Sequence, residues 1–264
     1  MKFYILGNGF DRAHGIPTSY ADFKQYLKDH DHGDPTMQDQ LEKMFVFDGD
    51  WKNFEEALAF PNKEAEQVYE KLELVDVFSK VLTEWFQEWF NTIDAKIVPQ
   101  CKKEFKGFTN EDYYLSFNYT SLLTLSEYDI DTSHVCKIHN SVAMRYYFRD
   151  EKDMQLVFGH GNKIIVDEGK SKLATLLYKD TEKAYARNKD FFERVEYQPI
   201  EEIIVIGFSY SLIDQYYFDR IRKMFPTTRW VLGTHSKEDI KNCKKFINAV
   251  GIKNYIIVDS DTLK

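Results

Sequence analysis

The chain has 264 residues, which at about 150 residues per domain allows one large domain or two small ones. Hydrophobic residues make up 43% and aromatics 16%, with 21 Phe and 17 Tyr, so enough apolar surface is available to offset the entropy of ordering, and a disordered chain is excluded. The 35 basic and 43 acidic side chains give a formal charge of −8, which argues against a nucleic-acid backbone as the main partner.

Residues 2–6 are β-prone and run into Gly7-Asn8-Gly9. Beyond Pro17, Thr18 or Ser19 can cap a helix in which Tyr20, Phe23, Tyr26 and Leu27 recur at helical spacing, so the opening reads as strand, loop and helix. Residues 29–50 are polar and hold Gly33, Pro35 and Gly49, an irregular segment with a short helix over 37–47. From 64 to 93, Val68, Leu72, Val75, Phe78, Leu82, Trp85, Trp89 and Ile93 share one face of a helical pattern. The expectation is a mainly helical insert, 36–105, within a single α/β domain, 1–264. Strands are expected at 113–117 and 135–138, both buried, and at 154–158, with one or two helices in the charged stretch 170–196. The rest alternates as strand 203–206, helix 212–224, strand 229–232, helix 237–249 and strand 255–258. Such βαβαβ alternation predicts a doubly wound, mostly parallel, Rossmann-like sheet.

The 3 cysteines, Cys101, Cys136 and Cys243, have neither zinc-ligand nor disulfide-framework spacing, which points to a reducing compartment. The apolar run before Gly7 is too short for a secretory segment, and no stretch approaches the roughly 20 apolar residues of a membrane helix. The expected location is the cytoplasm, with no membrane contact.

In a parallel sheet, ligands sit at the carboxyl ends of the strands. Four such places are polar here: Gly7-Asn8-Gly9-Phe10-Asp11, Asn118-Tyr119-Thr120, His139-Asn140 and Gly207-Phe208-Ser209-Tyr210-Ser211. The first loop suits close approach of a phosphate to backbone amides, although a tight turn would use the same glycines. Asn118 offers a donor and an acceptor for a ribose hydroxyl or a water, and otherwise reads as a capping residue. His139 titrates near neutral pH and suits a general base, but a histidine at a strand end is also often structural. Asp11, His14 and His160 could be imagined as scattered metal ligands, but nothing has metal-ligand spacing and no metal is expected. Ser209 lies in a context similar to a nucleophile elbow, with Asp214, Asp219 and His235 following, while the same serines and Asp214 could cap a helix or hold a nucleotide. Trp85, Phe86, Trp89 and Phe90 read as core or as a partner surface.

The runs NGFDRAHGIPTSYADFKQYL (8–27), WKNFEEAL (51–58), FNYTSLL (117–123), KIHN (137–140), VFGHGN (157–162) and IGFSYSLIDQYYF (206–218) resemble the bacteriophage abortive-infection AbiH family, in order and over nearly the whole chain. That family in turn resembles the sirtuin-like NAD-consuming domains of antiphage systems. The resemblance implies a sirtuin-like pocket in which Asn118 and His139 are catalytic. Gly7, Asn8, Gly9, Phe10 and Asp11 would approach the phosphates or the nicotinamide ribose, and Gly207, Ser209 and Asp214 would hold the far end of the dinucleotide. Three positions depart from the sirtuin-like pattern: Asn140 replaces the Gly of His-Gly, Asp11 stands at the Ser of Gly-Ala-Gly-x-Ser, and Thr120 stands at the Asp of Asn-Tyr-Asp.

The resemblance implies an antiphage effector that hydrolyses NAD, or a related nucleotide, at the nicotinamide–ribose bond without a required cofactor. The alternative is a nucleotide-sensing module without turnover; a nuclease, which would need a compact acidic and Lys or His cluster, ranks below both. The expected partners are the nucleotide and a phage-derived trigger, a companion defence protein or further copies of the chain, with Trp85 and Trp89 as the contact surface.

Overall fold

The computed structural model of the chain describes residues 1–140 and 156–264, in two compact units. The first unit comprises 1–17, 92–140 and 181–264, and the second 18–91 and 156–180. In the first, β1 (Lys2–Leu6), β2 (Tyr113–Ser116), β3 (Val135–Lys137), β4 (Glu202–Ile206), β5 (Arg229–Thr234) and β6 (Tyr255–Asp259) form one open sheet in the order β3-β2-β1-β4-β5-β6. Every neighbouring pair is parallel, and helices flank the sheet, which makes this a Rossmann-like α/β fold. The central strands are unbroken apolar runs because both of their faces are covered; Phe3, Ile5, Leu6, Ile203 and Val205 are all fully buried. Register aligns Leu6 with Ser116 on one side and with Ile206 on the other, so the chain leaves β1, β2 and β4 at one level. The strand order reverses between β1 and β4, where doubly wound sheets open a ligand crevice.

The expected strands at 2–6, 113–117, 135–138, 203–206, 229–232 and 255–258 all form, and β3 is half-buried because it is an edge strand. The opening is tighter than strand, loop and helix: a short helix, Asn8–Ala13, starts directly after Gly7. Helices Gln215–Met224 and Lys237–Val250 fill the two C-terminal crossovers.

The second unit is helical. Ser19 caps Tyr20–His30 through a reciprocal box with Asp22, and Thr36 caps Met37–Met44 in the same way with Asp39. The helical run expected over 64–93 is two helices, Lys63–Lys71 and Val75–Lys96, the second continuing into the first unit. The break falls where Glu73 takes a φ of 58°, and it turns Val68 and Leu72, 50% and 60% exposed, off the buried face. Trp89 is buried against Phe23, Phe86 and Phe90, so its place is the core of this unit and not a partner surface. Of the strand expected at 154–158, residues 154 and 155 lie outside the described residues, and 156–158 form no strand. The stretch 170–196 forms three helices, Lys172–Leu176, Thr181–Arg187 and Lys189–Glu196. Among the described residues, no helix is long and apolar enough to cross a membrane.

Candidate functional site

The site is built on the ends of β1, β2, β3 and β4, all within the first unit. Its frame is a glycine lock. The Gly7 N–H donates to Ile206 O at 2.9 Å and the Gly9 N–H to Gly207 O at 2.8 Å. A Cβ on Gly7 or Gly9 would lie 2.6 Å from the Gly207 backbone, and one on Gly207, at φ +64°, 2.2 Å from Phe10 N. These glycines let the exits of β1 and β4 close on each other, and the space left by their missing side chains is filled by protein backbone.

Locked in this way, the helix Asn8–Ala13 points Phe10 and Asp11 inward, each 1% exposed. Phe10 lies among Phe105, Phe108, Tyr128 and His14. Asp11 receives two hydrogen bonds from the loop after β2: Asn118 Nδ2 donates to Oδ1 and Thr120 Oγ1 to Oδ2, both at 2.8 Å. Asn118 and Thr120 are themselves buried. Burial pushes the Asp11 carboxyl up to about 7, assisted by the charge of Asp94 and opposed by the Thr120 and Asn118 hydrogen bonds and by Lys137.

A second set of groups adjoins Asp11. Lys137, at the end of β3, donates from Nζ to Ser121 Oγ at 2.8 Å, and the Ser121 N–H donates to Asp94 Oδ1 at 2.8 Å. Burial drives the Lys137 ammonium down to about 8 and raises the Asp94 carboxyl. Among the described residues no donor reaches the buried Asp94 Oδ2. Asp94, Ser121 and Lys137 were not expected here. Lys137 opens the KIHN run and Ser121 follows Asn-Tyr-Thr, but Asp94 gives no local sign that it turns inward near the end of a long helix.

His139 forms the third part. Its ring, 2% exposed, lies among Phe117, Tyr119 and Tyr217; Nδ1–H donates to Phe117 O at 3.2 Å, and Nε2 faces Asp214 Oδ1 at 3.7 Å. Asp214 therefore stands beside His139, and both are buried. Asn8 and Ser209 are exposed, while Tyr210 turns inward at φ 58° and donates to Gly233 O at 2.8 Å. Asp11, Asn118 and Thr120 thus form one network and His139 with Asp214 another, joined in sequence through Phe117 and Asn118.

His14 gives its ring to Phe10 O and Tyr128 Oη, and His160 belongs to the second unit. The group of metal-type side chains close enough to share an ion among the described residues is His235, Asp259 and Asp261, all exposed. Cys101, Cys136 and Cys243 are buried and unbridged.

The family model described as bacteriophage abortive infection AbiH matches residues 3–67 and 60–233. Neither curated proteins nor solved structures give a match to the chain.

Proposed function

The chain belongs to the bacteriophage abortive-infection AbiH family, which places it in antiphage defence, and from that premise we propose that it hydrolyses NAD or a related nucleotide at the nicotinamide–ribose bond. The observation that supports this reading most is the buried amide of Asn118, held by Asp11 at the carboxyl end of β2 beside the point where the strand order reverses. With its Nδ2 committed to Asp11, Asn118 has its carbonyl oxygen to hold a water. That water attacks the anomeric carbon as the glycosidic bond breaks, nicotinamide leaves with the bonding pair, and His139 Nε2 takes the water's proton. Asp214, 3.7 Å away, stabilises the resulting imidazolium.

Two of the three departures from the sirtuin-like pattern, Asp11 and Thr120, meet in the structure. They form one hydrogen-bonded pair at 2.8 Å, so a carboxyl and a hydroxyl are both present with their positions exchanged. The glycines and Phe10 act in this reading as the frame that sets Asp11, while Asn8 and Ser209 stand exposed at the same strand ends.

A second reading, a nucleotide sensor without turnover, is favoured by one observation: Asn118 and His139 are 5% and 2% exposed, and both His139 nitrogens already face protein groups. Incubating the purified chain with NAD and following nicotinamide release separates the two. Release lost in Asn118→Ala and His139→Ala supports hydrolysis, whereas saturable NAD binding without product supports the sensor. Absence of both at millimolar NAD would overturn the nucleotide pocket itself.

A further inference from the structure

Asp11 makes two hydrogen bonds to residues 107 and 109 positions away, from a helix set by the glycine lock. Its 1% exposure and the commitment of both oxygens leave it no surface for a ligand. A hydrophobic residue or an amide would fill the same space, so the informative question is what a carboxyl does there that an amide would not.

An ionised carboxylate only accepts hydrogen bonds. Facing one, Asn118 must turn its NH2 group towards Asp11. A neutral partner, either a protonated carboxyl or an amide, both donates and accepts, and it tolerates Asn118 in either orientation. We propose that Asp11 is a positioning residue whose ionised carboxyl fixes the Asn118 amide, so that the carbonyl oxygen is the end left for the attacking water. This rests on the reading of Asn118 as the water-holding group. Thr120 is part of the same device, because its hydroxyl takes up the second carboxylate oxygen.

The charged or titratable groups facing Asp11 are Asp94 on the long helix, Lys137 on β3 and Cys101. Burial raises the Asp11 midpoint to about 7, with Asp94 adding to the rise and Thr120, Asn118 and Lys137 opposing it. The amide is therefore locked above that pH and free to turn below it.

The test is the side-chain amide resonance pair of Asn118, followed in 15N-labelled apo protein from pH 5 to 9. In the native chain the pair should shift with a midpoint near 7. In Asp11→Asn it should broaden or double and lose its pH response. In Thr120→Val the midpoint should rise, because a hydrogen bond that favours the carboxylate is gone. Nicotinamide release should follow the same midpoint, with kcat about tenfold or more lower in Asp11→Asn and KM little changed. An Asn118 pair identical in Asp11→Asn and the native chain at pH 8 overturns the proposal whatever the turnover. A lock that behaves as described without nicotinamide release upholds the positioning role and removes only the NAD chemistry. Should Asp11→Asn fail to fold, an unmoved midpoint in Thr120→Val overturns it.

Discussion

Each of the two units contains a buried histidine, His139 in the first and His160 in the second, and their partners differ. In the second unit, His160 Nε2–H donates to Ala174 O at 2.8 Å and the Asn162 N–H donates to Nδ1 at 3.1 Å, so both nitrogens hold backbone. In the first, His139 holds one carbonyl and turns its other nitrogen to the carboxylate of Asp214. The buried acids divide in the same way. Glu66 accepts from Ser171 Oγ and the Leu173 N–H and so closes a helix start, whereas Asp11 and Asp94 share their surroundings with the Lys137 ammonium. Burial alone therefore does not mark a site. In the second unit the buried Lys179 faces Glu55 at 3.9 Å, whereas in the first Asp11, Asp94 and Lys137 lie close enough that a charge gained by one changes the next.

The largest effect should come from the glycines. Alanine at Gly207 would meet Phe10 N at 2.2 Å, and alanine at Gly159 would meet Leu177 O at 1.9 Å, each from a positive φ. Both contacts are with backbone, so neither yields without moving a chain segment. Each substitution should cost about 3–5 kcal/mol in denaturant unfolding. A loss below about 1 kcal/mol for Gly207→Ala would show that the exits of β1 and β4 are not locked together.

The histidines should part next. His139→Ala should lower nicotinamide release at least about a hundredfold and, because the buried ring holds Phe117 O, should also cost about 2 kcal/mol of stability. His160→Ala leaves a carbonyl and an amide unpaired and should cost about 2 kcal/mol while leaving the first unit's chemistry intact. Release that falls equally in both variants would count against placing the chemistry at the strand ends.

The same contrast shows how far the residue order alone could lead. Strands and their parallel arrangement were legible because buried parallel strands are short unbroken apolar runs between turn residues, as in Ile203 to Ile206. Asn118 and His139 were legible as polar residues just past such runs. The helix Asn8–Ala13 was not, because it depends on an interlock between glycines that lie 200 positions apart (Gly7 and Gly207), which no local pattern displays. Nor was Asp94: on its helix it is one polar residue among others, and only the fold sets it against Ser121. The helix break at 72–74 was hidden for the opposite reason, since Val68 and Leu72 continue the apolar spacing although a turn carries them to the surface. Asp214 was visible as a residue after β4, but its neighbour His139 comes from β3, at the far side of the strand order.

Titration should separate the units more finely. Asp11 is raised from 3.8 to about 7, so the folded chain holds a proton there that the unfolded chain has lost. Its contribution to stability is complete below pH 3.8 and disappears as pH rises to about 7. Lys137, lowered from 10.5 to about 8, acts in the other direction: its penalty is present below pH 8 and is relieved as pH rises towards 10.5. Together the two groups make their least favourable contribution between about pH 7 and 8. Asp11→Asn should remove the acid-side slope and Lys137→Met the alkaline one, read as melting temperature against pH. An unchanged slope in both variants would place the pH dependence elsewhere.

The smallest effects test whether the units are chemically independent. Ser19 caps the helix Tyr20–His30 in the second unit, and Ser236 caps Lys237–Val250 in the first, accepting from the Asp239 N–H. Each uses one hydroxyl to satisfy an amide that would otherwise lack a partner, so alanine at either should cost about 1 kcal/mol. Neither serine belongs to the buried network of Asp11, Asn118 and Lys137. Both variants should therefore keep the native kcat and KM for nicotinamide release once compared well below their melting temperatures. A fall in kcat in Ser19→Ala alone would show that the helical unit contributes to the reaction, and the division of labour drawn from the two histidines would have to be abandoned.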